Sequence, residues 1–178
     1  MHAPVSTLSH DFRDVGADRD AALDAALDEA NAARTMVFCK TANRAAAVAE
    51  RLAARGVAAA PYTKDVAPER RLKTLDLFAG GELAVLVCTD LAARGLDLPR
   101  VDHVVQYDFA TDVVSHLHRV GRAARAGAEA RATSLVDASN SDLVEAITRD
   151  AASIDGAFSR RRGLRKKIRK EGSNSYSS

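Results

Sequence analysis

The sequence has no tryptophan, and aromatic residues make up only 4% of its 178 residues. A core built around large rings is therefore excluded. With 47% hydrophobic residues, the interior has to be assembled from Ala, Val and Leu packed between layers, which suits a layered α/β domain. Cysteine is equally scarce. Cys39 and Cys88 each lie inside an apolar run with no second cysteine at CxxC spacing, which argues against a zinc site or a disulfide scaffold and for buried thiols. No stretch approaches 18 apolar residues, and the N-terminus has no charged region followed by an apolar one. Neither a membrane span nor a signal peptide is expected, and the chain reads as intracellular with its compartment open. A GxxxxGK[ST] loop, whose backbone amides cradle phosphates, is also missing.

Charge is present but unevenly placed. The net charge is +2, yet the segment from Ser159 to Ser178 holds eight Lys/Arg against Glu171 alone, which leaves the remainder at about −5. The body is not a uniformly basic glove for nucleic acid, so any such contact there has to be local. The basic, Ser-rich end (156–178) reads as disordered. It serves either as a source of non-specific nucleic-acid affinity or as a solubilising or localising extension.

Four short Val-rich runs read as buried strands: Thr35 to Lys40, Leu83 to Thr89, Val101 to Tyr107 and Ala132 to Asp137, with Val57 to Tyr62 as a weaker fifth. Helical stretches alternate with them: Ala42 to Ala54 closed by Gly56, Pro68 to Phe78 closed by Gly80-Gly81, Asp112 to Arg125, and Ser141 to Ala152. This order predicts right-handed βαβ crossovers and a mainly parallel sheet covered on both faces, with ligands beyond the carboxyl ends of the strands. Ahead of it, Val5 to Val15 reads as extended and Asp18 to Ala32 as a helix. The expected organisation is an N-terminal segment and helix (1–32), a core (33–155) and the tail.

Two clusters carry chemistry. In His118-Arg119-Val120-Gly121-Arg122-Ala123-Ala124-Arg125, His118, Arg122 and Arg125 fall at i, i+4 and i+7, one face of a helix. Cations on one face repel unless an anion compensates, and the arginine fork grips phosphate in a bidentate manner. A solvated basic face is the plainer reading. Against it stands Gly121, because a mid-helix glycine costs about 1 kcal/mol relative to Ala and suggests close approach of another surface. The second cluster, Thr89-Asp90-Leu91-Ala92-Ala93-Arg94-Gly95-Leu96-Asp97, follows a strand. A hydroxyl, amides near Gly95 and a cation make a phosphate-contacting edge there, and Asp97 can accept from a ribose hydroxyl. A polar loop with an Arg–Asp ion pair is the alternative.

Together these clusters resemble the last two conserved motifs of the DEAD-box ATP-dependent RNA helicases, with Asp90 standing 28 residues before His118. The resemblance covers roughly Val5 to Asp150 and implies a RecA-like three-layer α/β/α C-terminal lobe. It also implies that Arg125 is the arginine finger, Arg122 its partner at the γ-phosphate, and His118 a link to the other lobe. Gly95 and Asp97 would meet the nucleotide, Arg94 and Arg119 the lobe interface, and Thr89 the RNA backbone. A third element, Met36-Val37-Phe38-Cys39-Lys40-Thr41, would offer Thr41 to RNA. Lys40 replaces the family's usual Asn and either adds charge to the RNA path or faces water. Arg71 fits the Arg of a Gln-x-x-Arg element, but Pro68 stands where Gln is usual and cannot supply its side-chain contact. Tyr62-Thr63-Lys64-Asp65 stands where His-Gly is common.

The family's phosphate loop and its Asp-Glu-Ala-Asp box are not in this sequence. The implied protein is half of a motor in which ATP is completed, and Mg²⁺ held, by a missing N-terminal lobe. The fragment alone is expected to hydrolyse nothing. RNA is the expected partner, bound largely without sequence preference by a monomer. A DNA helicase lobe of the same superfamily and a non-catalytic RNA clamp are the competing readings.

Overall fold

The computed structural model describes residues 8–98, 101–123 and 129–149. Six strands form one sheet: β1 (Leu8–Asp14), β2 (Thr35–Phe38), β3 (Ala59–Tyr62), β4 (Val85–Cys88), β5 (His103–Gln106) and β6 (Ala130–Val136). Their spatial order is β1-β6-β5-β2-β4-β3, and every neighbouring pair is parallel. Five helices connect them: α1 (Arg19–Ala30), α2 (Ala42–Ala54), α3 (Pro68–Gly80), the single turn α4 (Asp90–Ala93) and α5 (Val113–Val120). This is the three-layer α/β/α domain expected from the alternation of patterns.

The apolar runs are continuous because both faces of the sheet are covered. Along β2, Met36 and Phe38 join one core with Leu86, Cys88 and Val104, against which Phe78 of α3 and Ala92 of α4 pack. Val37 and Cys39 turn to the opposite core with Val87, Val105 and Leu135, closed by Leu23 of α1 and by Val48 and Leu52 of α2. Cys39 and Cys88 are both buried free thiols and lie in different cores. Burial pushes the Cys39 thiol up to about 12 and raises that of Cys88 further.

Local signals account for the helix ends. Asp18, Thr41 and Asp112 are N-caps that accept from Ala21, Arg44 and Ser115 amides. Pro68 opens α3 where its missing N–H is harmless. Pro61 is tolerated in β3 because that strand is an edge of the sheet.

Three expectations are sharpened or corrected. The extended N-terminal segment is a full strand, paired with β6 from Leu8↔Ala130 to Asp14↔Val136. The polar loop after β4 begins with the turn α4. The helix expected over Asp112 to Arg125 ends at Val120, and Gly121 is its C-cap. Arg122 and Ala123 then continue in tighter turns, their amides donating to Arg119 and Val120 carbonyls at 3.1 and 3.0 Å. Gly121 is exposed, and a Cβ there would lie 3.0 Å from the Leu117 carbonyl of α5 itself. Among the described residues the crowding comes from its own helix.

The chain divides after Asn140 into two units. In the second, residues 141–149 are helical, with the Thr148 hydroxyl donating to the Val144 carbonyl (2.8 Å) and Arg149 to Glu145 (2.6 Å). The expected core boundary at residue 155, the tail 156–178 and Arg125 lie outside the described residues. No helix among the described residues is long and apolar enough to cross a membrane.

Candidate functional site

A cleft of about 650 Å³ opens where the loop after β4 faces the end of α5, and Asp90, Arg94, Gly95, Asp97, His118 and Arg122 are among its lining residues. The two chemical clusters of the sequence therefore meet in space, at the carboxyl end of the sheet. Gly95 adopts φ +71°, a conformation L side chains rarely reach, and nothing lies within 4 Å of where a Cβ would be. Its backbone is open to a ligand.

Arg119 forms the floor. It is 4% exposed and makes a two-pronged ion pair with Asp90, Nε to Oδ1 and Nη2 to Oδ2, both 2.7 Å. Its Nη1 donates to the Asp108 carbonyl (2.6 Å) and to Gln106 Oε1 (3.2 Å), and its guanidinium lies 5.3 Å from the Phe38 ring centroid. This arginine, expected at the lobe interface, is instead an internal clamp joining α5 to α4 and β5. The ion pair considered for the Thr89–Asp97 loop exists, but it joins Asp90 to Arg119.

The rim differs. Arg122 is half-buried and donates from Nη1 to the Leu96 carbonyl at 3.0 Å, bracing the loop that carries Asp97 while, among the described residues, most of its donors stay uncommitted. His118 and Arg94 are exposed, and among the described residues neither side chain makes a hydrogen bond or ion pair. Helix α5 stops between His118 and Arg122, and Arg125, expected on the same face, lies outside the described residues. His118 and Arg122 still line the cleft.

A second group lies along β2, β4 and β3. Thr41 follows β2, is exposed, and caps α2 by accepting the Arg44 amide at 3.2 Å. Lys40 is exposed beside it, and its amide donates to Asp108 Oδ2 at 2.8 Å. Thr89 follows β4 and precedes α4. Arg71 lies in the first turns of α3, after β3, with its Nε buried and without a partner. Because β2, β4 and β3 are consecutive neighbours, the four expected RNA contacts follow one side of the sheet end.

Sequence reasoning missed the polar groups beneath. Gln106, 1% exposed, accepts from Arg119 and from the Ala110 amide (3.2 Å) and donates to Ser134 Oγ and His116 Nδ1, both 2.9 Å. Burial, with His10 and Arg119 nearby, holds His116 down to about 4, so it is neutral and can accept at Nδ1. Asp108 accepts the Arg44 guanidinium at 2.6 Å. The available signal was positional: Gln106 and Asp108 are polar residues at the carboxyl end of an otherwise apolar strand, where sites of such sheets lie. Among the described residues no group of three or more His, Cys, Asp or Glu is placed to hold a metal ion.

Known proteins resemble this chain in sequence and fold. Residues 18–127 match the family described as helicase conserved C-terminal domain. The chain is 47% identical over 143 residues to DEAD-box ATP-dependent RNA helicase 22 of Oryza sativa subsp. japonica, covering 78% of this chain and 24% of that protein. It is 44% identical over 102 residues to ATP-dependent RNA helicase RhlB of Escherichia coli, covering 57% of this chain and 24% of that one. Among solved structures, the E. coli DEAD-box protein SrmB, bound to the regulator of ribonuclease activity RraA, is similar with TM-score 0.71 and 30% identity, over 83% of this chain and 86% of that one. The C-terminal domain of the DEAD-box protein Dbp5 follows with TM-score 0.70 and 26% identity, over 85% and 87%. The chain spans about a quarter of the length of the curated relatives it matches. A parallel six-stranded sheet, the cleft between the loop after β4 and the end of α5, and these likenesses place the chain in the helicase conserved C-terminal domain family, as the C-terminal domain of a DEAD-box protein.

Proposed function

We propose that this chain is the C-terminal lobe of an ATP-dependent RNA helicase, closing over ATP held by a second lobe and gripping RNA as it closes. The observation that carries the reading is the meeting of Arg122, Gly95 and Asp97 in one cleft at the sheet end. ATP bound between lobes would supply the phosphoanhydride bond to be cleaved and the negative charge to be neutralised, part of it by Mg²⁺ held on the other lobe. Arg122 contributes the donors not committed to Leu96, and Arg125 is assigned the finger role beside it. Such arginines stabilise charge developing in phosphoryl transfer. Asp97 offers an acceptor to a ribose hydroxyl, and the open backbone at Gly95 lets the nucleotide approach.

RNA lies along Lys40, Thr41, Thr89 and Arg71, which meet its phosphates and 2′-hydroxyls without reading bases. Arg94 and His118, exposed on the rim, face the second lobe. A bent strand held this way competes with duplex pairing, and loss of the γ-phosphate opens the lobes. Support for RNA comes from the relatives, among them a yeast Dbp5 structure described as bound to RNA and ADP BeF3. The protein acts inside the cell, as a monomer, and its basic tail either adds salt-sensitive RNA affinity or serves as a solubilising or localising extension.

The test is ATP turnover by this chain alone and joined to a lobe that carries the phosphate loop. The expected result is no turnover alone and RNA-stimulated turnover when joined. Turnover by the isolated chain, or turnover of the joined protein that ignores RNA, overturns the reading.

A further inference from the structure

Asp108, at the carboxyl end of β5, stands between the two halves of the site. It is 9% exposed. Its Oδ2 accepts the Lys40 amide at 2.8 Å and its Oδ1 accepts Arg44 Nη1 at 2.6 Å. On its backbone, the carbonyl accepts Arg119 Nη1 at 2.6 Å and the amide donates to the Phe38 carbonyl at 3.1 Å. One residue thus holds the turn that opens α2 and the arginine that clamps Asp90 beneath the cleft.

The geometry of the α2 turn gives this junction a consequence. Lys40, Thr41 and Arg44 are all exposed, and the Thr41 hydroxyl caps the Arg44 amide. The Arg44 side chain is 52% exposed, with one N–H on Asp108. The turn therefore shows a hydroxyl and two cations to solvent, and its Lys40 amide and Arg44 fork are both set by the Asp108 carboxylate. A carboxylate is suited to this because both oxygens can accept charge-assisted or amide hydrogen bonds at once. An amide in its place keeps one acceptor and turns a donor toward the other partner.

We propose that Asp108 is a positioning residue for RNA: it presents Arg44 and the Lys40-Thr41 turn to the RNA backbone and keeps that turn in register with the Arg119–Asp90 clamp under the nucleotide. Asp108 touches neither ligand and acts through Arg44, which becomes an RNA contact additional to those expected from the sequence. The proposal rests on the helicase reading above.

The experiment uses the joined two-lobed protein and measures ATP turnover against single-stranded RNA concentration and, separately, against ATP concentration. The variants are Asp108→Asn, Arg44→Gln and both together. Each single variant is expected to raise the RNA concentration for half-maximal stimulation about tenfold, as loss of a charge-assisted hydrogen bond implies. The ATP half-saturation should move by less than about twofold. The double variant should be no worse than the weaker-binding single, because both remove the same contact. Additive losses, or RNA and ATP half-saturation rising together, overturn the proposal. Arg44→Gln alters a half-exposed side chain, so it decides the matter even if Asp108→Asn unfolds, and an unchanged RNA half-saturation in it also overturns the proposal. A wild-type joined protein indifferent to RNA is a different failure, that of the helicase reading itself.

Discussion

On the floor of the cleft Arg119 is buried and makes four hydrogen bonds, whereas on the rim Arg94 and His118 are exposed and, among the described residues, their side chains make none. Arg122 is intermediate, with one bond to the Leu96 carbonyl. All four belong to two short motifs, so motif membership does not determine the job. A cation whose donors are already satisfied inside the protein has little left for a ligand, and removing it strands its partners. A cation with free donors beside a cleft contributes little to folding and is available for chemistry. On the proposed reading the floor is structural and the rim functional, and the two should respond to substitution in opposite ways.

The largest effect tests the rim. Arg122→Ala in the joined two-lobed protein should lower ATP turnover by about 10³-fold, as for loss of an arginine that stabilises transferring phosphate. Unfolding of this chain in urea should change by no more than about 1 kcal/mol, the worth of one hydrogen bond. Turnover retained within tenfold would remove Arg122 from the chemistry and erase the distinction between rim and floor.

The next effect tests the floor. Arg119→Ala leaves Asp90 and the Asp108 carbonyl without their partner and Gln106 Oε1 with the Ala110 amide, and should destabilise this chain by about 3 kcal/mol in urea unfolding. Arg119→Lys restores the charge but not the fork, so roughly half of that loss should remain. A stability within about 0.5 kcal/mol of wild type for Arg119→Ala would show that the clamp is dispensable.

Much of this was readable in the chain, and the reasons for success and failure are physical. Strands β2, β4 and β5 were legible because a strand buried on both faces has to be apolar throughout. Helix α2 was legible to its ends, since Thr41 caps it and Gly56 closes it with φ +82°. Strand β1, Leu-Ser-His-Asp-Phe-Arg-Asp, carries no apolar run because it lies at the sheet edge, so only its extended character could be read. The end of α5 was misplaced because glycine is equally compatible with a costly mid-helix position and a C-cap, and only tertiary structure decides between them. The role of Arg119 was hidden for a related reason: an arginine on a helix reads as exposed unless its partner is known, and Asp90 is 29 residues away. Lining of the cleft by His118 and Arg122, by contrast, followed from strand-end topology and survived the error about the helix.

Below the floor, a pH dependence sharpens the comparison. His116, in contact with Gln106, and His103, hydrogen-bonded to Thr133 at 2.9 Å, are both held down to about 4 by burial. Each is neutral when folded and takes up a proton near 6.5 when unfolded. The unfolded state therefore binds more protons between these values, and stability should rise with pH across that window. It is fully present above about 6.5 and falls as pH drops toward 4, by about 1 kcal/mol per pH unit for each histidine. Asp112 and Asp137 are held below the usual carboxylate range by hydrogen bonds to Ser115 and Ser139, so their contributions are lost at still lower pH. His116→Gln should flatten the slope between pH 4 and 6.5. An unaltered slope would mean that His116 is already protonated in the folded protein, and Gln106 could then accept from it only by turning its amide, which would bring its NH2 instead of its oxygen to Arg119.

The smallest effect closes the contrast. Arg94→Ala and His118→Ala remove exposed side chains with no internal partner among the described residues, so each should leave the urea stability of this chain within about 0.5 kcal/mol of wild type. The same substitutions in the joined protein should weaken the lobe contact and raise the ATP concentration needed for half-maximal turnover. Neutrality in both measurements would leave the rim arginine and histidine as solvated surface, and lobe recognition would have to lie elsewhere. Destabilisation of the isolated chain by more than about 1 kcal/mol would show that the rim, like the floor, is part of the fold.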